Sequence, residues 1–156
     1  TLVLVPVLAL AFCSAAGRLF ARTSVPLGVL VCRLVPALVP LGFAMWLAHL
    51  SFHLTTGLFS VVPASQRALA ALTRGPLELV AVAPLGADWL IDAQLLSLGL
   101  GLVVSLAVLW RIAQEIAPAP GRALGLILPW SLLALALWSL GLLTFLSPME
   151  MRGMGA

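Results

Sequence analysis

Four long apolar stretches, nearly free of charged residues, constrain this chain more than any other feature. They cover residues 1–17, 34–58, 93–112 and 123–146. A helix needs about 20 mostly apolar residues to cross roughly 30 Å of hydrocarbon. Only 8% of all residues are charged, against about 25% in a soluble domain. The sequence therefore predicts an all-α integral membrane protein, a four-helix bundle in a single transmembrane domain.

The boundaries of these spans follow from charges and prolines. Arg33 separates the second span from the apolar residues before it, because a charge at mid-bilayer costs at least about 2.5 kcal/mol. Pro36 and Pro40 are expected to kink that span. Residues 60–91 are predicted to form an interfacial loop with a short amphipathic helix. The first span is slightly short and no basic segment precedes it, so we expect the chain to be part of a longer one.

The basic residues indicate an orientation. All eight are arginines, and they occur singly beside apolar stretches, which excludes a nucleic-acid-binding face. Five lie in the connectors after the first and third spans: Arg18, Arg22, Arg33, Arg111 and Arg122. The positive-inside rule then puts these connectors in the cytoplasm. We expect a multi-pass protein of the bacterial inner membrane, with both termini and residues 60–91 on the outer side.

The third span carries small residues at a spacing of four: Ser97, Gly101 and Ser105. Residues four apart share one helix face, and small side chains let a neighbouring helix approach closely. If the chain is an accessory subunit, we expect this stripe to contact helices of other proteins. Alternatively, the spacing has no special role, because small residues are common in membrane helices.

Two histidines, His49 and His53, lie within the second span in the sequence LAHLSFHL. Their spacing of four places them on one helix face, about 24 and 30 Å beyond Arg33 at 1.5 Å per residue. An ionisable group within a span is a candidate functional residue. The pair could hydrogen-bond a quinone, with Trp46 among the apolar walls. It could also be structural, bonding the loop, nearby hydroxyls or a partner subunit.

A metal site is a further alternative. Two histidines at this spacing can chelate one ion, and the tail adds three thioethers that suit copper: Met149, Met151 and Met154. A haem held by both histidines is excluded, because they cannot reach opposite faces of one iron. A haem shared with a methionine or another subunit stays open. Cys13 and Cys32 form no CxxC pair, so no iron–sulfur cluster is expected within this chain.

Three segments carry a family resemblance: PLGFAMWLAHLSFHLTTG, QLLSLGLGLVVSLAVLWRIA and SPMEMRGM. They resemble the polytopic membrane region of bacterial electron-transfer proteins, which are often fused to 4Fe-4S ferredoxin modules. The resemblance covers residues 40–153 and implies that His49, His53 and the methionine tail are the residues of interest. The cluster-binding cysteines of such modules are absent from these residues.

These observations lead to one functional expectation and two alternatives. We expect a membrane-embedded subunit or anchor domain of a respiratory or redox complex, surrounded by lipid and by other membrane subunits, and not an enzyme by itself. A non-catalytic accessory subunit of a photosynthetic or respiratory assembly is the first alternative. A small metal-handling membrane protein is the second. No serine–histidine–aspartate order or phosphate-binding glycine loop is present in the sequence.

Overall fold

The computed structural model describes residues 3–73 and 88–147. In these ranges the chain is helical apart from short connectors, and no strand occurs there. The elements in chain order are α1 (Leu4–Ala21), α2 (Leu27–Leu34), a 3-10 turn (Val35–Leu38), α3 (Val39–Thr73), α4 (Asp88–Ile116) and α5 (Pro120–Leu146).

Four helical stretches are long and apolar enough to cross a membrane: Leu4–Ala21, Leu27–Leu72, Trp89–Ile116 and Pro120–Leu146. Between 22% and 28% of the most apolar window of each is buried inside the chain. Most of the apolar surface therefore faces outward, including Phe12 and Leu19, whose exposed fractions are 72% and 74%. The all-α membrane class with four spans is confirmed.

The second stretch differs most from the sequence prediction. The predicted loop 60–91 is helical from 60 to 73, where it continues α3, and helical again from 88; residues 74–87 lie outside the described part. The expected short amphipathic helix is the end of this 35-residue helix. Pro63 lies inside α3, and the alanines and leucines that follow favour continued helix. The first span also extends to Ala21.

The helices form a row in which α3 packs beside α4, α4 beside α5, and α5 beside α1. The C-termini of α1 and α4 meet the N-terminus of α5 at one end, where Arg22 and Arg122 line a common recess. We call this the basic end, and the other the opposite end. Arg18 and Arg111 lie near the ends of α1 and α4, and Arg33 is in the last turn of α2, within the second apolar stretch. At the basic end α2 joins the core, since Leu30 and Leu34 are fully buried in the cluster that holds Leu109 and Trp130.

A side chain of α4 satisfies the backbone where α geometry is interrupted. Pro36 and Pro40 carry no N–H donor, and the chain tightens into the 3-10 turn around Pro36, where the kink was predicted. The backbone N–H of Leu41 donates to Ser105 Oγ at 3.0 Å. Ser105 is fully buried, so this hydrogen bond ties α3 to α4 inside the bundle.

Glycines permit the closest helix contacts. A Cβ added at Gly101 would overlap the Cβ of Ala44, and one at Gly17 would lie 2.5 Å from the carbonyl oxygen of Leu126. Real side chains do not tolerate such distances, so α3 and α4, like α1 and α5, are closer than any larger residue would allow. The small-residue stripe on α4 thus serves packing within the chain: Gly101 and Ser105 are buried against α3.

The close approach at Gly101 can be tested with a matched pair on the same helix. Gly101→Ala is expected to lower the thermal unfolding midpoint of the detergent-purified protein, because overpacking costs about 1–3 kcal/mol. Gly99→Ala adds the same methyl group where nothing lies within 4 Å. Its midpoint should stay unchanged or rise, since alanine favours helix over glycine by about 1 kcal/mol. Equal midpoints for the two variants would contradict the packing.

Two fully buried serines provide a second contrast. Ser105 accepts the Leu41 N–H, whereas Ser14 Oγ has no hydrogen-bond partner among the described residues. Ser105→Ala should therefore destabilise the protein by about 1 kcal/mol, because it leaves a buried donor unsatisfied. Ser14→Ala removes a hydroxyl that makes no bond and should leave the unfolding midpoint unchanged or raise it. A larger loss from Ser14→Ala than from Ser105→Ala would be the contrary result.

Candidate functional site

His49 and His53 converge on the surface of α3. Their Nε2 atoms are 3.1 Å apart, and the ring centroids are 4.6 Å apart with an interplanar angle of 76°. This geometry follows from the helix, because residues four apart lie one above the other on the same face. The two nitrogens are within hydrogen-bonding distance of each other, with one ring donating and the other accepting according to the tautomer.

A contact between α3 and α4 fixes the level of this pair. The Nε2 of Gln94 donates to the carbonyl oxygen of Ala48 at 2.8 Å, so His49 lies near the level of Gln94, two residues after Asp92. Residues 93–110, between Asp92 and Arg111, span about 27 Å at 1.5 Å per residue, close to the hydrocarbon thickness. The histidines therefore lie at the opposite end, near the edge of the apolar layer and far from Arg22 and Arg122.

The histidine pair faces outward from the bundle. Ala48 is buried at the contact with α4, whereas His49 and His53 are exposed. The Phe52 ring lies edge-on to His53, at a centroid distance of 5.7 Å and an angle of 80°. A ligand would thus approach from the side of α3 that faces away from the bundle.

The aromatic residues predicted to line a quinone site are arranged separately. Trp46 lies 6.2 Å from Phe43 between ring centroids, and each is 58% exposed. A groove between α3 and α4 has a volume of about 290 Å³, and its lining contains neither histidine nor Trp46. Its residues are Pro40, Phe43, Ala44, Leu47, Ser97, Leu100, Gly101 and Val104. Within the described ranges, the two histidines lie together, but this groove does not enclose them with Trp46.

The predicted methionine ligands, Met149, Met151 and Met154, lie outside the described residues. The helix that leads to them ends at Leu146. Gly141, five residues earlier, packs against Leu98 of α4, with 3.2 Å from an added Cβ to Leu98 Cδ2. The described chain therefore ends on α5 at the opposite end of the bundle, the end at which the histidines also lie.

The separation of the two imidazole nitrogens is compatible with a chelating pair if a metal ion replaces their mutual hydrogen bond. Metal–nitrogen bonds of about 2.0–2.1 Å to atoms separated by the observed 3.1 Å enclose an angle of about 100°. This lies between square-planar and tetrahedral geometry, as copper or zinc would accept. Within residues 3–73 and 88–147, no group of three or more histidine, cysteine or acidic side chains could hold a metal. A metal ion bound by the pair would need further ligands.

Other reactive side chains lie apart from the histidines. Cys13 is buried at the α1–α5 contact, with its Sγ 3.5 Å from the carbonyl oxygen of Pro129. Cys32 is exposed on α2. Both are free thiols on other helices, and neither adds a ligand to the histidine pair.

The role of Gln94 was missed by the sequence prediction. It is buried, with 5% of its surface exposed, and its side-chain amide holds α4 against the backbone beside His49. The position of Gln94 near the start of an apolar span could have indicated this role, because a buried amide requires a hydrogen-bond partner.

Comparisons with protein-family models, curated proteins and solved structures found no match. The functional reading of the chain therefore depends on its own geometry and chemistry.

Proposed function

We propose that this chain is a membrane-embedded subunit of a bacterial redox complex, in which His49 and His53 bind a copper ion at the edge of the apolar layer. One observation carries the copper site: the two Nε2 atoms converge to 3.1 Å on an exposed helix face. The subunit role in electron transfer draws on the sequence resemblance. An anchoring subunit needs no catalytic group of its own, in keeping with the lack of a catalytic motif in the sequence.

Copper suits the donors that this chain offers. Imidazole nitrogen binds copper in both common oxidation states, and thioether sulfur favours Cu(I). Met149, Met151 and Met154 follow α5, whose last described turn is at the histidine end. In this proposal the histidines supply two ligands, and methionines of the tail or a donor from a partner subunit complete the set.

Copper binding can be measured directly on the purified full chain. Wild type is expected to bind one Cu(I) per chain, and Cu(II) should show nitrogen hyperfine splitting in its electron paramagnetic resonance spectrum. His49→Ala and His53→Ala should each weaken binding by at least about 10-fold, because even loss of an outer-shell partner costs 10- to 100-fold. The double variant should bind no copper at this site. Leu50→Ala, an exposed position between the two histidines, is the matched control and should retain copper.

Two outcomes separate this proposal from a structural histidine pair. Copper stoichiometry that stays unchanged in the His49→Ala/His53→Ala variant would refute the copper site. Loss of folding in that variant, judged by gel filtration without added metal, would support mutual hydrogen bonding of the rings as their role. If the His49→Ala/His53→Ala variant assembles with its partners and retains full electron transfer, the redox role of the histidines is refuted.

We also propose that the basic end faces the cytoplasm, which puts the histidines on the outer side. Arg18, Arg22, Arg111 and Arg122 lie at or near the basic end, with Glu115 as the one acidic residue of the last turn of α4. At the opposite end, α4 begins with Asp88 and Asp92, and Arg67 is the one arginine of α3. Because arginine is enriched in short cytoplasmic connectors, this asymmetry supports cytoplasmic placement of the basic end.

Cysteine labelling tests this orientation. In a background without Cys13 and Cys32, Ser24→Cys and Ser147→Cys place single thiols at exposed positions near the two ends. A membrane-impermeant maleimide should label Ser147→Cys in intact spheroplasts of a bacterial host, and Ser24→Cys only after lysis. The reverse pattern would invert the topology, and the copper site would then face the cytoplasm.

A further inference from the structure

Two recesses meet at the basic end and share Arg22 and Thr23. The first, which we call the basic recess, has a volume of about 220 Å³ and lies between the connectors of the bundle. Its lining is Ala21, Arg22, Thr23, Ser24, Ile116, Ala117, Pro118, Ala119 and Arg122. The second, the α1–α2 groove, has a volume of about 330 Å³. Its lining is Ala15, Arg18, Leu19, Arg22, Thr23 and Leu27.

The two arginines of the basic recess come from distant parts of the sequence and form no ion pair with the described residues. Arg22 follows α1 and Arg122 lies in the first turn of α5. Both are exposed, and neither has an ion-pair partner within residues 3–73 and 88–147. Two uncompensated guanidinium groups at one recess create a positive potential that favours an anion with several oxygen acceptors.

The backbone holds Arg22 in a defined position. Its φ and ψ of 50° and 44° are left-handed, and its N–H donates to the carbonyl oxygens of Arg18 and Leu19. The next residue, Thr23, donates its N–H to the Arg18 carbonyl oxygen at 3.2 Å. This capping turn fixes the base of the Arg22 side chain at the point where the two recesses join.

The α1–α2 groove extends from this charged point along the apolar part of α1. Ala15 is seven residues from Arg22, a distance of about 10 Å along the helix. Leu19 and Leu27 line the same groove, so it has a basic rim and an apolar interior. A soluble anion would use only the rim, whereas a lipid can occupy both parts.

We propose that the basic end binds an anionic phospholipid, with its phosphate between Arg22 and Arg122 and an acyl chain in the α1–α2 groove. The site lies where a cytoplasmic leaflet would place its headgroups, because these arginines border the apolar layer of α1 and α5. Basic pockets between membrane helices recognise acidic headgroups by this charge complementarity. The proposal is independent of the histidine pair, which lies at the other end.

Lipid retention by the purified full chain tests the proposal. The detergent-solubilised protein is incubated with phosphatidylglycerol or with phosphatidylcholine of identical acyl chains, and bound lipid is counted by native mass spectrometry. Phosphatidylglycerol should be retained and should raise the thermal unfolding midpoint. Phosphatidylcholine should do neither. Inorganic phosphate is the third arm, and stabilisation by phosphate equal to that by phosphatidylglycerol would overturn the lipid assignment.

Arginine variants locate the site. Each positive charge near an anionic lipid surface contributes roughly fivefold to binding, so the Arg22→Asn/Arg122→Gln variant should retain phosphatidylglycerol roughly 30-fold less well. Asparagine tolerates the left-handed backbone at residue 22. The single variant Arg122→Gln keeps the capping turn at Arg22 intact. Its matched control is Arg67→Gln, which removes one exposed arginine from α3. Equal retention by Arg122→Gln, Arg67→Gln and wild type would overturn the proposed site.

Discussion

Helix contact distance is the constraint on which this structure depends. Lipid tails are as apolar as leucine, so burying leucine between membrane helices gains little, and association relies on close packing and interhelical hydrogen bonds. Gly101 facing Ala44 permits that approach for α3 and α4. The same approach brings Gln94 within hydrogen-bonding distance of the backbone of Ala48. The position of the histidine pair along the bundle therefore depends on Gly101 of α4, where the absence of a Cβ lets α3 approach.

The second constraint is that lipid offers no hydrogen bonds to an interrupted backbone. Prolines near the start of the second span interrupt the α-helical hydrogen bonding there. The backbone forms a 3-10 turn, and the hydroxyl of Ser105 accepts a hydrogen bond from the backbone that follows. Ser105 of α4 thus accepts a hydrogen bond from the backbone of α3. Gly101 of α4 lets α3 come close enough for that bond to form. Packing and hydrogen bonding are consequently coupled along one face of α4.

The class and the number of spans were predictable because hydropathy and helix length do not depend on which helices touch. The shared face of His49 and His53 was predictable for the same reason, since it needs only helical periodicity. The partner of the α4 stripe was not predictable: spacing indicates that a helix approaches Gly101, but not that the helix is α3. The end of α3 was also missed, because Pro63 is tolerated within it. The basic recess joins residues about 100 positions apart, Arg22 and Arg122, which no local pattern connects.

The two ends of the bundle have different chemistry, and this limits what can complete the histidine site. Arg18, Arg22, Arg111 and Arg122 lie at or near the basic end, and the exposed imidazoles lie near the opposite edge of the apolar layer. A donor carried by the connectors at the basic end would have to cross that layer to reach them. The remaining sources are residues 74–87, which join α3 to α4 in the sequence, residues beyond α5, and groups from outside the chain that approach the exposed face of α3. In the proposed copper site, a third ligand would come from one of these sources, so copper binding would depend on more than the described helices.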